Sequence, residues 1–275
     1  MKIENILLGG LKVDHIRPAH RKYPYPVLFI HGMWGGSWVF HFLMTFLVRL
    51  GYECYALNLR GHHGSKPGTN LGKATIGDYE KDVVAVIDAI GHPVALIGWS
   101  MGSLIGARVA GKNLKVKAYL GIASAPPRGV LLGWKVMVRM PRYLFRMIFG
   151  LPVKLASPHC RFLMFNTSTD SEFAEAETKL VHESGWAALL ISLWLYGIDQ
   201  IPCPSALISF DDDNIVGGQD EIARKMGAHH HWRLPGSHTA FVAERHGKEV
   251  GERIHAFLQQ CYDDEVFSRL FKKIE

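Results

Sequence analysis

An α/β fold, with a mostly parallel central sheet covered by helices on both faces and a helical insertion, is what this sequence predicts. Three observations carry the prediction. Short apolar runs alternate with segments of helical periodicity in both the first and the last part of the chain. Between them, over residues 125–198, the strand signals stop and helical spacing alone remains. One strand-to-helix junction, Gly98-Trp99-Ser100-Met101-Gly102, places glycines on either side of a serine.

Taken in order, the run Val27-Leu28-Phe29-Ile30 ends at His31-Gly32 and is expected to be a buried strand. A helix over residues 37–50 and a strand over 52–59 follow. Thr75 and Asp78 have the spacing of a capping box, and Ile76, Tyr79, Val83, Val86 and Ile90 keep helical spacing up to Gly91, a stop signal. Residues 93–97 form the next strand. The helix after Ser100 carries Ser103, Gly106, Ala107 and Ala110, small enough for close packing on a sheet, and a strand over 116–122 closes this half. Such near-continuous apolar runs are what a sheet buried on both faces requires.

After Ala125-Pro126-Pro127 the chain turns rich in Trp, Met, Phe, Leu and Arg until Asp199-Gln200-Ile201-Pro202. The predicted organisation is therefore a core of residues 1–124 and 199–275 with a helical cap over 125–198. Pro141 lacks an N–H and is expected to divide one helical stretch in two. Lys135, Arg139, Arg142 and Arg146 recur at helical spacing, opposite Val136, Val138, Met140, Leu144 and Ile148. A solvated basic face, over an apolar side that closes a pocket, explains this pattern and is preferred to contact with an anionic membrane surface. The α/β rhythm resumes with a strand over 205–210, a helix over 219–226, a strand over 230–234 and a closing helix striped by Val250, Ile254, Phe257, Leu258 and Cys261. A final amphipathic piece with Val266, Phe267, Leu270, Phe271 and Ile274 is expected to pack on the core or a partner.

With 275 residues, 48% of them hydrophobic, the chain can bury a substantial core. It has no run of eighteen apolar residues, and Met1-Lys2-Ile3-Glu4-Asn5 lacks the basic-then-apolar pattern of a secretory leader, so a cytoplasmic location is expected. The net charge of +6 comes without a nucleic-acid-binding motif, so no nucleic acid is expected as partner. Cys54, Cys160, Cys203 and Cys261 are too widely spaced for a zinc ladder and read as free thiols. On a strand, His229, His230 and His231 would point to alternating faces, so no metal site is expected there.

Glycine, serine and glycine between a buried strand and a small-residue helix form a nucleophile elbow, a strained turn that exposes the serine hydroxyl above the sheet. Such a hydroxyl needs a base to take its proton and a carboxylate to orient the base. Both types follow in later loops: Asp213 in Asp211-Asp212-Asp213-Asn214-Ile215-Val216 after the 205–210 strand, and His238 in Gly236-Ser237-His238-Thr239 after the next. The neighbouring aspartates Asp211 and Asp212 remain alternatives. His31 is expected to brace its turn by a side-chain hydrogen bond, and His62 and His63 to be loop residues, the second at the pocket edge.

These pieces resemble the α/β-hydrolase superfamily, of the capped, lipase- and esterase-like kind, over nearly the whole chain. The matching segments are His31-Gly32, Arg60-Gly61-His62-His63-Gly64-Ser65, the elbow at Ser100, Asp213 two residues before Ile215-Val216, and Gly236-Ser237-His238. Gly217 departs from the proline common there. The order serine, acid, histidine is that of this superfamily. The resemblance implies a serine hydrolase cleaving carboxylic esters of apolar acyl or alcohol groups through an acyl-enzyme, with Ser100 as nucleophile, His238 as base and Asp213 as its orienting acid. It further implies an oxyanion hole from the backbone amides of Met33 and Met101, and no metal or organic cofactor. Trp34, Trp99, Met137 and Trp186 are expected to line an apolar pocket, although Trp99 could instead pack beneath the serine. The alternatives are the same triad on a lactone, thioester, glyceride or carbon–carbon bond, or a non-catalytic ligand-binding member of the fold.

Overall fold

The computed structural model describes residues 2–66, 68 and 70–271, apart from the side chains of 244, 245 and 264–271. The packing expected of Val266, Phe267, Leu270, Phe271 and Ile274 lies outside those described residues. Eight strands make one sheet in the order β1-β2-β4-β3-β5-β6-β7-β8. They are β1 (Glu4–Leu8), β2 (Leu11–Ile16), β3 (Val27–Ile30), β4 (Cys54–Leu57), β5 (Val94–Trp99), β6 (Val116–Ile122), β7 (Ser205–Phe210) and β8 (His230–Leu234). From β4 to β8 every pairing is parallel, while β1 and β2 form an antiparallel hairpin on one edge. Its two-residue turn is Gly9-Gly10, with φ of 58° and 81°, values that only glycine adopts without strain.

Strand residues alternate between two apolar layers. Val27, Phe29, Ala95 and Ile97 pack on α1 (His41–Leu50) and α10 (Glu244–Phe271), whereas Leu28, Ile30 and Leu96 pack on α2 (Ile76–Ile90), α3 (Met101–Ala110) and α9 (Gln219–Met226). Burial on both sides is the physical reason for the uninterrupted apolar runs in the sequence. At the start of α2, Thr75 Oγ1 accepts from the Asp78 amide at 3.3 Å and the Asp78 carboxylate accepts from the Thr75 amide at 3.1 Å, closing the capping box; Gly91 ends the helix at φ 76°. The helix expected over 37–50 divides into a tight turn, Ser37–Phe40, and α1, and the strand expected over 52–59 is regular only as β4.

Between β6 and β7 the chain forms five helices, α4 (Trp134–Met137), α5 (Pro141–Ile148), α6 (Ser157–Met164), α7 (Asp170–Lys179) and α8 (Gly185–Ser192). Pro141 opens α5, where its missing N–H costs nothing. The insertion lies over the carboxyl ends of the strands: one cavity is lined both by residues that follow β3, β5, β7 and β8 and by α5 and α8. That is where open parallel sheets hold their sites. All four cysteines are free thiols, Cys54, Cys160 and Cys203 buried and Cys261 half-buried. No helix of the described residues is long and apolar enough to cross a membrane.

Candidate active site

Close approach of three backbone segments builds the elbow. A Cβ on Gly98 would stand 2.3 Å from the carbonyl oxygen of Gly102, and one on Gly102 would stand 2.2 Å from that of Ile30. Only glycine fits at either position. Between them Ser100 sits at φ 55° and ψ −120°, a conformation that a residue with a side chain adopts only when its surroundings impose it. Hydrogen bonds from the Ser100 amide to Ile122 (2.9 Å), at the end of β6, and from the Ala125 amide to Ser100 (3.0 Å), in the segment after it, hold it in place. Ser100 lines the cavity, and Met101 directly follows it at the start of α3, where first-turn amides lack helical partners.

His238 is brought to the same cavity by the loop after β8. Its Nδ1 donates to Asp213 Oδ2 at 2.8 Å, and both side chains are almost wholly buried. The other carboxylate oxygen of Asp213 accepts from the amides of Ile215 (2.8 Å) and Val216 (3.1 Å). Of the three consecutive aspartates, Asp213 alone turns inward; Asp211 and Asp212 are exposed. His238 Nε2 is buried and has no hydrogen-bond partner in the protein, which leaves it available to whatever occupies the cavity.

The insertion braces the loops that carry His238 and Asp213. Thr239 Oγ1 donates to Met164 at 2.6 Å and the Ser237 amide to Thr167 Oγ1 at 3.0 Å, on either side of His238. Asn214, next to Asp213, donates to the Phe162 carbonyl at 2.8 Å and accepts from Lys135. Trp34 joins the opposite side: its indole donates to the Val153 carbonyl at 3.0 Å while its own carbonyl accepts from Val181 at 2.9 Å. It does so at φ 62°, a strained geometry for a bulky residue beside Met33.

The cavity is about 100 Å³, with a wall that is mostly thioether, aromatic and aliphatic. Of the expected pocket residues Trp34 lines it, and the side chains of Met33 and Met101 join it there. Trp99, Met137 and Trp186 do not. The Trp99 side chain points to the α1 and α10 layer because strand residues alternate, and there its indole donates to the His238 carbonyl at 3.0 Å. Met137 closes α4 on its outer side, 45% exposed, and Trp186 turns away at the start of α8 to lie against Lys73 and the Ile148 carbonyl. Arg139, placed with the solvated cations by its spacing, instead stands at the cavity wall, over the Phe162 ring at 4.2 Å. The four-residue α4 ends before it, so one helical register does not run from Lys135 to Arg146.

His31 is fully buried, its Nδ1 donating to the Gly32 carbonyl at 2.8 Å and its Nε2 accepting from the Leu59 amide at 3.1 Å, so it braces the loop that carries Met33. Burial, with His62 beside it, holds it well below the usual histidine range and therefore neutral. His62 is not a solvated loop residue. It is wholly buried 3.2 Å from Glu183, which stands just before the N-cap of the last helix of the insertion, and Glu183 also accepts from Tyr79 of α2 and from the Ser184 amide. Burial is the largest single influence on His62 and would lower it, but the Glu183 charge together with hydrogen bonding to Glu183 and to the backbone of Arg60 and Leu59 outweighs it and leaves the group above its ordinary value. Sequence reading missed this link, since a lone glutamate with no periodic neighbours carries no signal. His63 is half-buried and stays off the cavity wall. The three adjacent histidines diverge: His229 accepts from the Ser205 amide, His230 stacks on Trp232, and His231 meets Ser209.

A family model described as the alpha/beta hydrolase family matches residues 27–253. A search of curated protein sequences gave no significant match. Among solved structures, the chain is similar to a soluble variant of monoglyceride lipase from Saccharomyces cerevisiae crystallised with a substrate analog, at 18% identity and a TM-score of 0.72, covering 95% of each chain. It is similar also to a lipase-esterase related protein from Clostridium acetobutylicum, at 21% identity and a TM-score of 0.66, covering 89% of this chain and 99% of that one. The enol-lactonase of Burkholderia xenovorans gives 17% identity and a TM-score of 0.71, covering 93% of this chain and all of the other. At such identities the likeness is one of fold.

Proposed function

Because the chain belongs to the α/β-hydrolase family, with the family match spanning both Ser100 and His238, we propose that it is a serine hydrolase of carboxylic esters with apolar acyl or alcohol groups. The observation that carries this reading is the state of His238: one ring nitrogen is held by a buried carboxylate, the other is buried, unpartnered and directed to the cavity that Ser100 also lines. A histidine whose Nδ1 carries the proton presents a basic Nε2, as a general base requires.

In the reaction Ser100 Oγ attacks the ester carbonyl carbon as Nε2 of His238 takes the hydroxyl proton. The carbonyl electron pair moves onto oxygen, and the amides of Met101 and Met33 receive the oxyanion. Collapse of the tetrahedral intermediate breaks the bond to the alkoxy oxygen, which leaves with the proton from His238. Water then attacks the acyl-serine, His238 again taking a proton and returning it to Ser100 Oγ, and the carboxylic acid departs. Asp213 stabilises the imidazolium that forms twice in the cycle. The apolar wall favours apolar substituents over charged ones, and the helices over 125–198 act as the cap that shapes this wall.

A fluorophosphonate probe followed by intact-mass and peptide mapping tests the proposal. The expected result is one adduct per chain, on Ser100, with the adduct and ester turnover both absent in Ser100→Ala. Turnover that survives in a folded Ser100→Ala protein sinks it, and a folded wild-type chain that takes no label points to the ligand-binding alternative.

A further inference from the structure

Of fourteen large apolar side chains left exposed among the described residues, twelve fall between Leu131 and Leu195, in the insertion. The densest group is on α5 and its end, where Phe145 is 66% and Phe149 60% exposed with ring centroids 4.7 Å apart, beside Leu144 and Ile148. Trp134 and Val138 extend the apolar surface along α4 and the turn after it, 69% and 62% exposed. Exposed apolar surface on this scale marks a binding face.

The charge around it is one-sided. Residues 125–169 hold seven Lys and Arg and no Asp or Glu. Arg142 and Arg146 stand one turn apart on the exposed part of α5, among the phenylalanines. The sequence pattern predicts an apolar side turned to the pocket and a basic side turned to water; in the structure Tyr143 and Met147 line the cavity while Leu144, Phe145 and Ile148 share the outer face with the arginines. A second copy of the chain would set cations against cations on this surface. An anionic lipid surface complements both its charge and its apolar groups, with an exposed tryptophan of the kind that settles at headgroup level.

We infer that the outer face of α4 and α5 is a docking surface for an anionic lipid bilayer. The inference stands on surface chemistry and does not depend on the reaction proposed above. Docking would set the bilayer over the two helices whose inner sides wall the cavity.

Co-sedimentation of the full chain with vesicles of phosphatidylcholine, alone or mixed with phosphatidylserine, tests it. The protein should pellet with the mixed vesicles at low salt and be released as salt screens the charges. Phe145→Ser combined with Phe149→Ser should weaken partitioning by at least about tenfold, from the lost burial of two rings. Arg142→Gln should weaken it about fivefold. Both variants lie outside the cavity and should retain wild-type hydrolysis of a soluble short-chain ester and wild-type fluorophosphonate labelling. Wild-type protein that stays in the supernatant with mixed vesicles at low salt overturns the inference, as does equal binding to both vesicle types. A wild-type dimer in sedimentation velocity, dispersed by the phenylalanine substitutions, would also overturn it by assigning the face to a second copy. Lipid binding without labelling or turnover would uphold it and reject the hydrolase reading.

Discussion

Asp213→Asn separates an orienting carboxylate from a merely buried one. The two oxygens of Asp213 have different partners: Oδ1 accepts from two backbone amides and Oδ2 from His238 Nδ1. An asparagine of the same shape has one acceptor and one donor end. Turning its NH2 toward the Ile215 and Val216 amides would set donors against donors in a site with 2% side-chain exposure, at about 1–3 kcal/mol for each unsatisfied group. The amide oxygen therefore keeps the backbone bonds, and the NH2 faces His238. Nδ1 must then accept, the ring proton moves to Nε2, and Nε2 cannot take a proton from Ser100. A triad histidine held in the wrong tautomer costs about 10⁴-fold in kcat, equal to about 5 kcal/mol of transition-state stabilisation. Initial rates on a soluble p-nitrophenyl ester, with thermal melts to check folding, measure it. Asp212→Asn, at an exposed side chain, is the control and should leave kcat unchanged. Retention of more than about a tenth of wild-type turnover in Asp213→Asn, or equal damage in Asp212→Asn, refutes the assignment.

Gly102→Ala should prevent folding or lower the melting temperature sharply, because its Cβ would meet the Ile30 carbonyl oxygen at 2.2 Å and backbone cannot yield as a side chain does; a melting temperature equal to wild type would show that the elbow is looser than described. Glu183→Gln removes one partner of a buried pair and should cost about 3–5 kcal/mol in denaturant unfolding. It should also alter the pH profile of stability. His62 lies above its ordinary value in the folded chain, so its pairing contributes fully below the unfolded-state pKa of about 6.5 and is lost as pH rises through the higher folded value. Melting temperatures across that window should fall in the wild type and lose this component in Glu183→Gln; parallel profiles would exclude the pairing. Thr75→Ala, which opens the capping box on α2, should destabilise by about 1 kcal/mol in equilibrium unfolding without changing kcat.

The alternating sheet and the elbow were legible because each rests on local pattern: apolar runs buried on both faces, and glycines required by contacts that small spacing makes unavoidable. The inward turn of Asp213 was legible only through its register before Ile215-Val216, since three consecutive aspartates offer no chemical distinction until two backbone amides select one of them. The N-terminal hairpin was not read. Side chains of β1 are mostly exposed, so its five residues lack the apolar alternation that marks a strand, although Gly9-Gly10 was a usable turn signal. Pocket membership was the least legible property. Trp99 and Trp186 have the composition of a pocket wall, but strand alternation sends the first to the far layer and the placement of α8 sends the second outward. Glu183 and His62 lie more than a hundred residues apart, and only tertiary packing joins them.

The bonds from Thr239 to Met164, from Ser237 to Thr167 and from Asn214 to Phe162 change what kind of object the insertion is for protein engineering. It is not an interchangeable module between β6 and β7. Exchanging all of it for a foreign segment would strip the His238 and Asp213 loops of their anchors even with Ser100, His238 and Asp213 left in place. Residues 138–151 are the stretch to vary instead: they supply Met140, Tyr143 and Met147 to the cavity wall while leaving those anchors outside the graft. The cavity wall can thus be recombined there without touching the loops that hold Asp213 and His238.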